Sequence, residues 1–134
     1  MVCSLLGHAQ VNVLTANGSN DRTNSNLQET QLSAATVSSS AFGKLGAFPV
    51  NGRVYAQPLY VSLSIPGRGT HNVVFVATMH NSVYAFDGDA MSPISMLWQV
   101  NLGNPVPAWL LYPENGDIAD EVGILSTGVI DLQR

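Results

Sequence analysis

Hydrophobic positions are unevenly spread along the chain. From 17 to 40 the sequence is dominated by Asn, Ser, Thr, Gln and Ala, with Leu27 and Leu32 the only bulky apolar residues. So sparse a pattern predicts an extended, surface-running segment, with one helical turn started by Ser33 as N-cap ahead of Ala34 and Ala35. No stretch carries helix periodicity of useful length. The texture changes at Phe42, where an apolar, glycine-punctuated run leads to Asn51-Gly52, a dipeptide that tolerates positive φ at both positions and so predicts a turn.

Beyond that turn the β-branched and aromatic residues come in blocks. Arg53 to Ile65 reads as a strand, edge-placed, bulged or interrupted at Pro58, which cannot donate to a ladder. Pro66-Gly67-Arg68-Gly69 ends it in a loop. Val73 to Thr78 is apolar almost throughout, as a strand covered on both faces would be. Ser82 to Phe86 is the next run, and the short Met79-His80-Asn81 connection makes the two a tight hairpin with Asn81 in a left-handed conformation. After the turn-rich stretch 87–93, Met96 to Leu102 forms a fourth run. Four antiparallel strands in about 50 residues have the size of one propeller blade. The expected fold class is therefore all-β.

Two elements then resemble a known family. Ala85 and Asp87, followed by Trp98, resemble the Ala-x-Asp-x-x-x-Gly-x-x-x-Trp motif of pyrroloquinoline-quinone-like (PQQ-like, quinoprotein alcohol dehydrogenase-like) β-propeller repeats. Met91 stands where the motif has glycine, and Trp98 arrives three residues late, which implies a longer turn. In the same order, 52–61, 69–78 and 84–87 resemble the opening blade of secreted bacterial proteins of that type. The segments 20–23, 27–32 and 42–45 resemble their lead-in. Residues 121–131 resemble the start of a following blade, with Gly128 where the family has proline.

The resemblance implies blades of four antiparallel strands and, for this chain, an incomplete ring. A ring closes with about 4–8 blades of roughly 40–50 residues. The 134 residues divide into a possible signal-peptide remnant (1–9), an extended lead-in (10–49), a first blade (50–103), a long connection (104–123) and a first strand of the next blade (124–134). An N-terminal piece of a longer protein is the expectation, with the remaining blades or another protein as its partners.

Composition narrows the function classes. Lys plus Arg number 5 against 9 Asp plus Glu, for a net charge of −4. That balance disfavours a basic nucleic-acid face. No apolar run approaches the roughly 20 residues a membrane-spanning helix needs. The short apolar run ending in Gly7-His8-Ala9 suits the tail of a secretory signal, pointing to a secreted or periplasmic location. Cys3 alone cannot form an internal disulfide.

Candidate chemistry is thin. His8, His71 and His80 lack zinc-binding spacing, and His80 is expected as an exposed turn residue. Asp87 and Asp89 alternate like calcium ligands, but the other acidic ligands of such a loop are missing. No catalytic residue and no metal site are expected. The weak ligand or partner candidates lie in the long connection: the acidic group Asp117, Asp120 and Glu121, and the aromatic pair Trp109 and Tyr112. Packing over the blade is the default role of Trp109, with a ligand-stacking or partner surface the alternative. Ala85, Asp87 and Trp98 are expected to be structural: the indole fills the gap between neighbouring sheets, and Asp87 accepts turn N–H groups. No cofactor is evident in the chain. The family's PQQ and calcium belong to a complete ring, so a non-catalytic binding or scaffolding module is the leading expectation. A fragment of a quinoprotein dehydrogenase that oxidises alcohols or sugars is the alternative.

Overall fold

The computed structural model describes residues 11–133, apart from 31, 39, 41, 45, 91–95 and 112–115. The expected signal remnant, Cys3, His8, Met91 and Tyr112 lie outside these residues. A four-stranded antiparallel sheet in simple sequential order dominates: β1 (Leu59–Ile65), β2 (Gly69–Ala77), β3 (Ser82–Asp87) and β4 (Met96–Asn101). Before it comes the single turn α1 (Ala34–Val37). Ser33 caps α1 by accepting from the Thr36 N–H, while Thr36 Oγ1 accepts from the Ser33 N–H.

Each strand follows from local chemistry sharpened by pairing. β1 starts only after Pro58, because Arg53 to Gln57 have no ladder to join across the proline. β2 begins at Gly69, four residues earlier than the apolar run predicts, because Ile65 pairs with Gly69 and the ladder continues through Leu59 opposite Phe75. Its left-handed φ of +86° suits glycine at the turn. Asn81 has φ +53°, as the short β2–β3 connection requires. Between Ala85 and Phe86 the β3–β4 register shifts, so that Ala85 faces Trp98 and Phe86 faces Met96, leaving Leu97 as the extra residue of a bulge.

Pleat alternation gives the sheet one largely apolar face and one mixed face that carries an aromatic patch. On one, Leu59, Val61, Val73, Phe75, Ala85 and Trp98 are neighbours by register, and the Phe75 and Trp98 rings lie 5.8 Å apart. On the other, Phe86 stacks on Tyr84 at 5.7 Å and on Phe48 of the lead-in at 5.0 Å. The lead-in is fastened there by the Asn51 N–H donating to the Tyr84 hydroxyl (2.9 Å). Val61, Val73, Met79, Ala85 and Phe86 are the most deeply buried apolar residues. The expectation that β2 is covered on both faces holds only for Val73; its other apolar residues are half-buried.

The two sheet edges differ. Val13 exchanges two backbone hydrogen bonds with Tyr60 (2.7 and 3.0 Å), which covers part of the β1 edge. β4 is the opposite edge, and Trp98 remains 45% exposed beside exposed Met96 and Val100. Past β4, β5 (Val106–Pro107) pairs with β6 (Glu121–Val122), and the turn α2 (Ala108–Leu111) lies between them in sequence. The stretch expected as the first strand of a next blade has no strand in its described part, 124–133. Instead Ile124 donates to the Thr78 carbonyl (3.3 Å) and Ile130 to the Leu14 carbonyl (2.9 Å), so this segment lies along the β2–β3 hairpin and the N-terminal segment.

Candidate functional site

The β2–β3 hairpin end gathers most of the ionisable candidates. Its tip is set by Thr78, whose N–H donates to the Ser82 carbonyl (2.9 Å) and whose carbonyl accepts from the Asn81 N–H (3.1 Å). Three other segments close on this tip. Met79 donates to the Arg53 carbonyl (2.8 Å), and Leu102 to the Asn81 carbonyl (2.8 Å). The Asn101 side chain donates to the His80 carbonyl (2.8 Å) and to Ser82 Oγ (3.0 Å). Gly123 lies so close that a Cβ there would collide with the Met79 carbonyl and with Asn81 Oδ1, and a Cβ at Gly52 would come within 2.7 Å of His80 Cβ.

This crowding changes the expected role of His80. It is half-buried rather than an exposed turn residue, and its Nδ1 lies 3.0 and 3.1 Å from the two carboxylate oxygens of Glu121. Asp120 turns the other way, with a left-handed φ of +70°, and receives Arg53 Nε and Nη2 at 3.2 and 3.1 Å. Of the acidic trio, then, two pair with basic groups on different segments, while Asp117 is solvent-exposed. The three do not form one carboxylate cluster. Ser82 directs its hydroxyl at the His80 carbonyl (3.4 Å) rather than at the imidazole. Chemically the pair is a clasp that ties the long connection to the hairpin.

Trp109 does not pack over the sheet. α2 buries Ala108 and turns Trp109 (67% exposed), Leu110 and Leu111 outward. Tyr112 is outside the described residues.

Ala85 and Asp87 lie on β3 and Trp98 on β4. Asp87 Oδ1 accepts the Asp89 N–H (3.1 Å), and the Asp87 carbonyl accepts the Ala90 N–H (3.3 Å), so Asp87 fixes the turn after β3. Ala85 lies opposite Trp98. Next to Trp98, Leu59, Phe75 and Val83 form one wall of an open hollow of about 340 Å³, closed on its other side by Ile124, Val129 and Ile130. Gln57 is its one polar side chain with hydrogen-bonding groups. A ligand pocket would converge several such groups on its occupant.

One grouping was not legible in spacing. Pairing of Val73 with Asp87 carries His71 to the end of β3, where His71 Nδ1 lies 2.8 Å from Asp87 Oδ2. Asp89 is held beside them by the Asn72 N–H (3.0 Å) and the Asn72 side-chain amide. The donor atoms of His71, Asp87 and Asp89 all lie within 4.8 Å of one another. Only the two aspartates could be grouped from sequence, because His71 joins them through a β ladder.

Among the described residues no helix is long and apolar enough to cross a membrane. No known protein family matches the chain, and neither does any curated protein or solved structure.

Proposed function

We propose that β1–β4 is one blade of a PQQ-like β-propeller, and that the chain is the N-terminal part of an exported protein in which it acts as a non-catalytic binding or scaffolding module. The observation that carries this reading is the pairing of sequential antiparallel order with large apolar side chains on both faces. A lone sheet in water would leave one face polar. Here the lead-in covers one face, while Trp98 and Val100 on β4 stay exposed. In a ring of sheets that surface is covered by the neighbouring blade, which is how stacked blades build their core. The scaffolding role is supported by the hairpin clasp, whose ionisable groups tie segments together.

Tryptophan quenching tests this. The chain has two tryptophans, Trp98 and Trp109, and further blades would add their own, so the Trp98 signal is read as the difference between the protein and its Trp98→Phe variant. In native exported material, acrylamide is expected to quench Trp98 weakly, as for a buried indole. Quenching as strong as for free tryptophan would overturn the blade assignment.

A further inference from the structure

The geometry points to a divalent metal site at His71, Asp87 and Asp89, selective for a zinc-like transition ion over calcium. His71 Nε2 faces the Arg68 carbonyl at 2.9 Å. A carbonyl only accepts, so Nε2–H donates to it, which fixes the ring with Nδ1 turned toward Asp87. That Nδ1 is shielded from solvent and makes no hydrogen bond, although Asp87 Oδ2 lies 2.8 Å away. Nδ1 and Oδ2 thus converge on one point, where a divalent cation can take both as ligands. A ring N–H donated to a backbone carbonyl is also the outer-shell arrangement that orients metal-binding histidines.

The rest of the site is preorganised. Asp87 and His71 are largely shielded, with side chains 13% and 25% exposed. Asp89 is fixed by both nitrogens of Asn72 and by its own N–H on Asp87 Oδ1. The Gly88 N–H on the Asn72 carbonyl (2.6 Å) tightens the turn that brings Asp89 round. Ligands about 2.0–2.2 Å from a shared ion are roughly 3–4 Å apart, a spacing within reach of donors that lie no more than 4.8 Å from one another. One imidazole nitrogen with two carboxylates suits zinc or manganese, with water completing the shell. Calcium needs about 6–8 oxygens, more than these three residues supply. Bound there, the ion joins the start of β2 to the turn after β3. This assignment is independent of the propeller reading.

The test is calorimetric titration of the chelator-stripped full chain with zinc chloride, then with calcium chloride. One saturable zinc site is expected, at least tenfold tighter than calcium, with a rise in melting temperature on zinc addition. Asp89→Asn, at an exposed position, and His71→Gln are each expected to weaken zinc at least tenfold, whereas Asp21→Asn leaves it unchanged. Circular dichroism checks that both ligand variants fold, and cobalt substitution gives a visible absorption band that Asp89→Asn removes in a folded chain. Absence of saturable zinc binding would mean that His71 and Asp87 merely share a proton, and it would overturn the site. Equal binding in Asp89→Asn, or tighter binding of calcium, would overturn it as well.

Discussion

Trp98 lies directly across the β3–β4 ladder from Ala85, and on its own face it meets Phe75 with ring centroids 5.8 Å apart. Alanine leaves room for the indole to lean over the sheet, and Phe75 supplies one wall. The other side of the indole is open. In the isolated chain, Trp98→Ala is therefore expected to cost only the partial contact, about 1 kcal/mol for the aromatic pair. In the native protein the same change should cost about 3–5 kcal/mol, the loss typical of a buried tryptophan. Urea melts of the two samples read the difference.

Gly123 and the hairpin tip make a second prediction. Because the atoms a Cβ would strike are a backbone carbonyl and the side chain of Asn81, little can yield. Gly123→Ala is expected to cost about 1–3 kcal/mol or more, whereas Gly116→Ala, with open space around it, should change stability little. Denaturant midpoints of both variants check this.

The two ion pairs of the connection should differ in strength. Arg53 and Asp120 are 57% and 72% exposed, so a double-mutant cycle through alanine is expected to give a coupling below about 1 kcal/mol that fades with salt. His80 and Glu121 are better shielded and tie together segments 41 residues apart. Their cycle should give the larger coupling.

Tyr60 supplies a pH prediction. Burial pushes its phenol above the ordinary value, and the negative charge of Asp89 adds to the effect. Folded Tyr60 thus holds its proton more tightly than the unfolded chain does. The stability it contributes is complete below about pH 10 and is lost as pH rises through the higher folded value. In metal-free buffer, absorbance titration should show one late-ionising tyrosine. Tyr60→Phe should remove it, and Asp89→Asn should lower its midpoint.

Much of the sheet is legible in the residues. The blocks around Val61, Val74, Tyr84 and Val100 are rich in β-branched and aromatic side chains, Pro58 delays β1, and Asn81 marks the tight turn. What local pattern could not give is pairing. β2 gains Gly69 to Asn72 from its ladder with β1, and the Leu97 bulge comes from the β3–β4 register. The 124–133 segment looks strand-like by its β-branched content, yet its partners are the hairpin and Leu14 rather than a ladder. The site followed the same rule. Asp120 and Glu121 are adjacent in sequence but answer Arg53 and His80 separately, because the positive φ at Asp120 turns the two side chains apart. His71 reaches Asp87 only through the β2–β3 ladder.

The central claim is that this meander is a blade whose β4 side is covered by another sheet. The most direct measurement is an electron cryo-microscopy or crystallographic structure of the protein purified from its native source. Four-stranded sheets arrayed radially around a channel are expected, with Trp98 enclosed against the neighbouring sheet. A monomer of 14.2 kDa that melts cooperatively and leaves Trp98 facing solvent would contradict it.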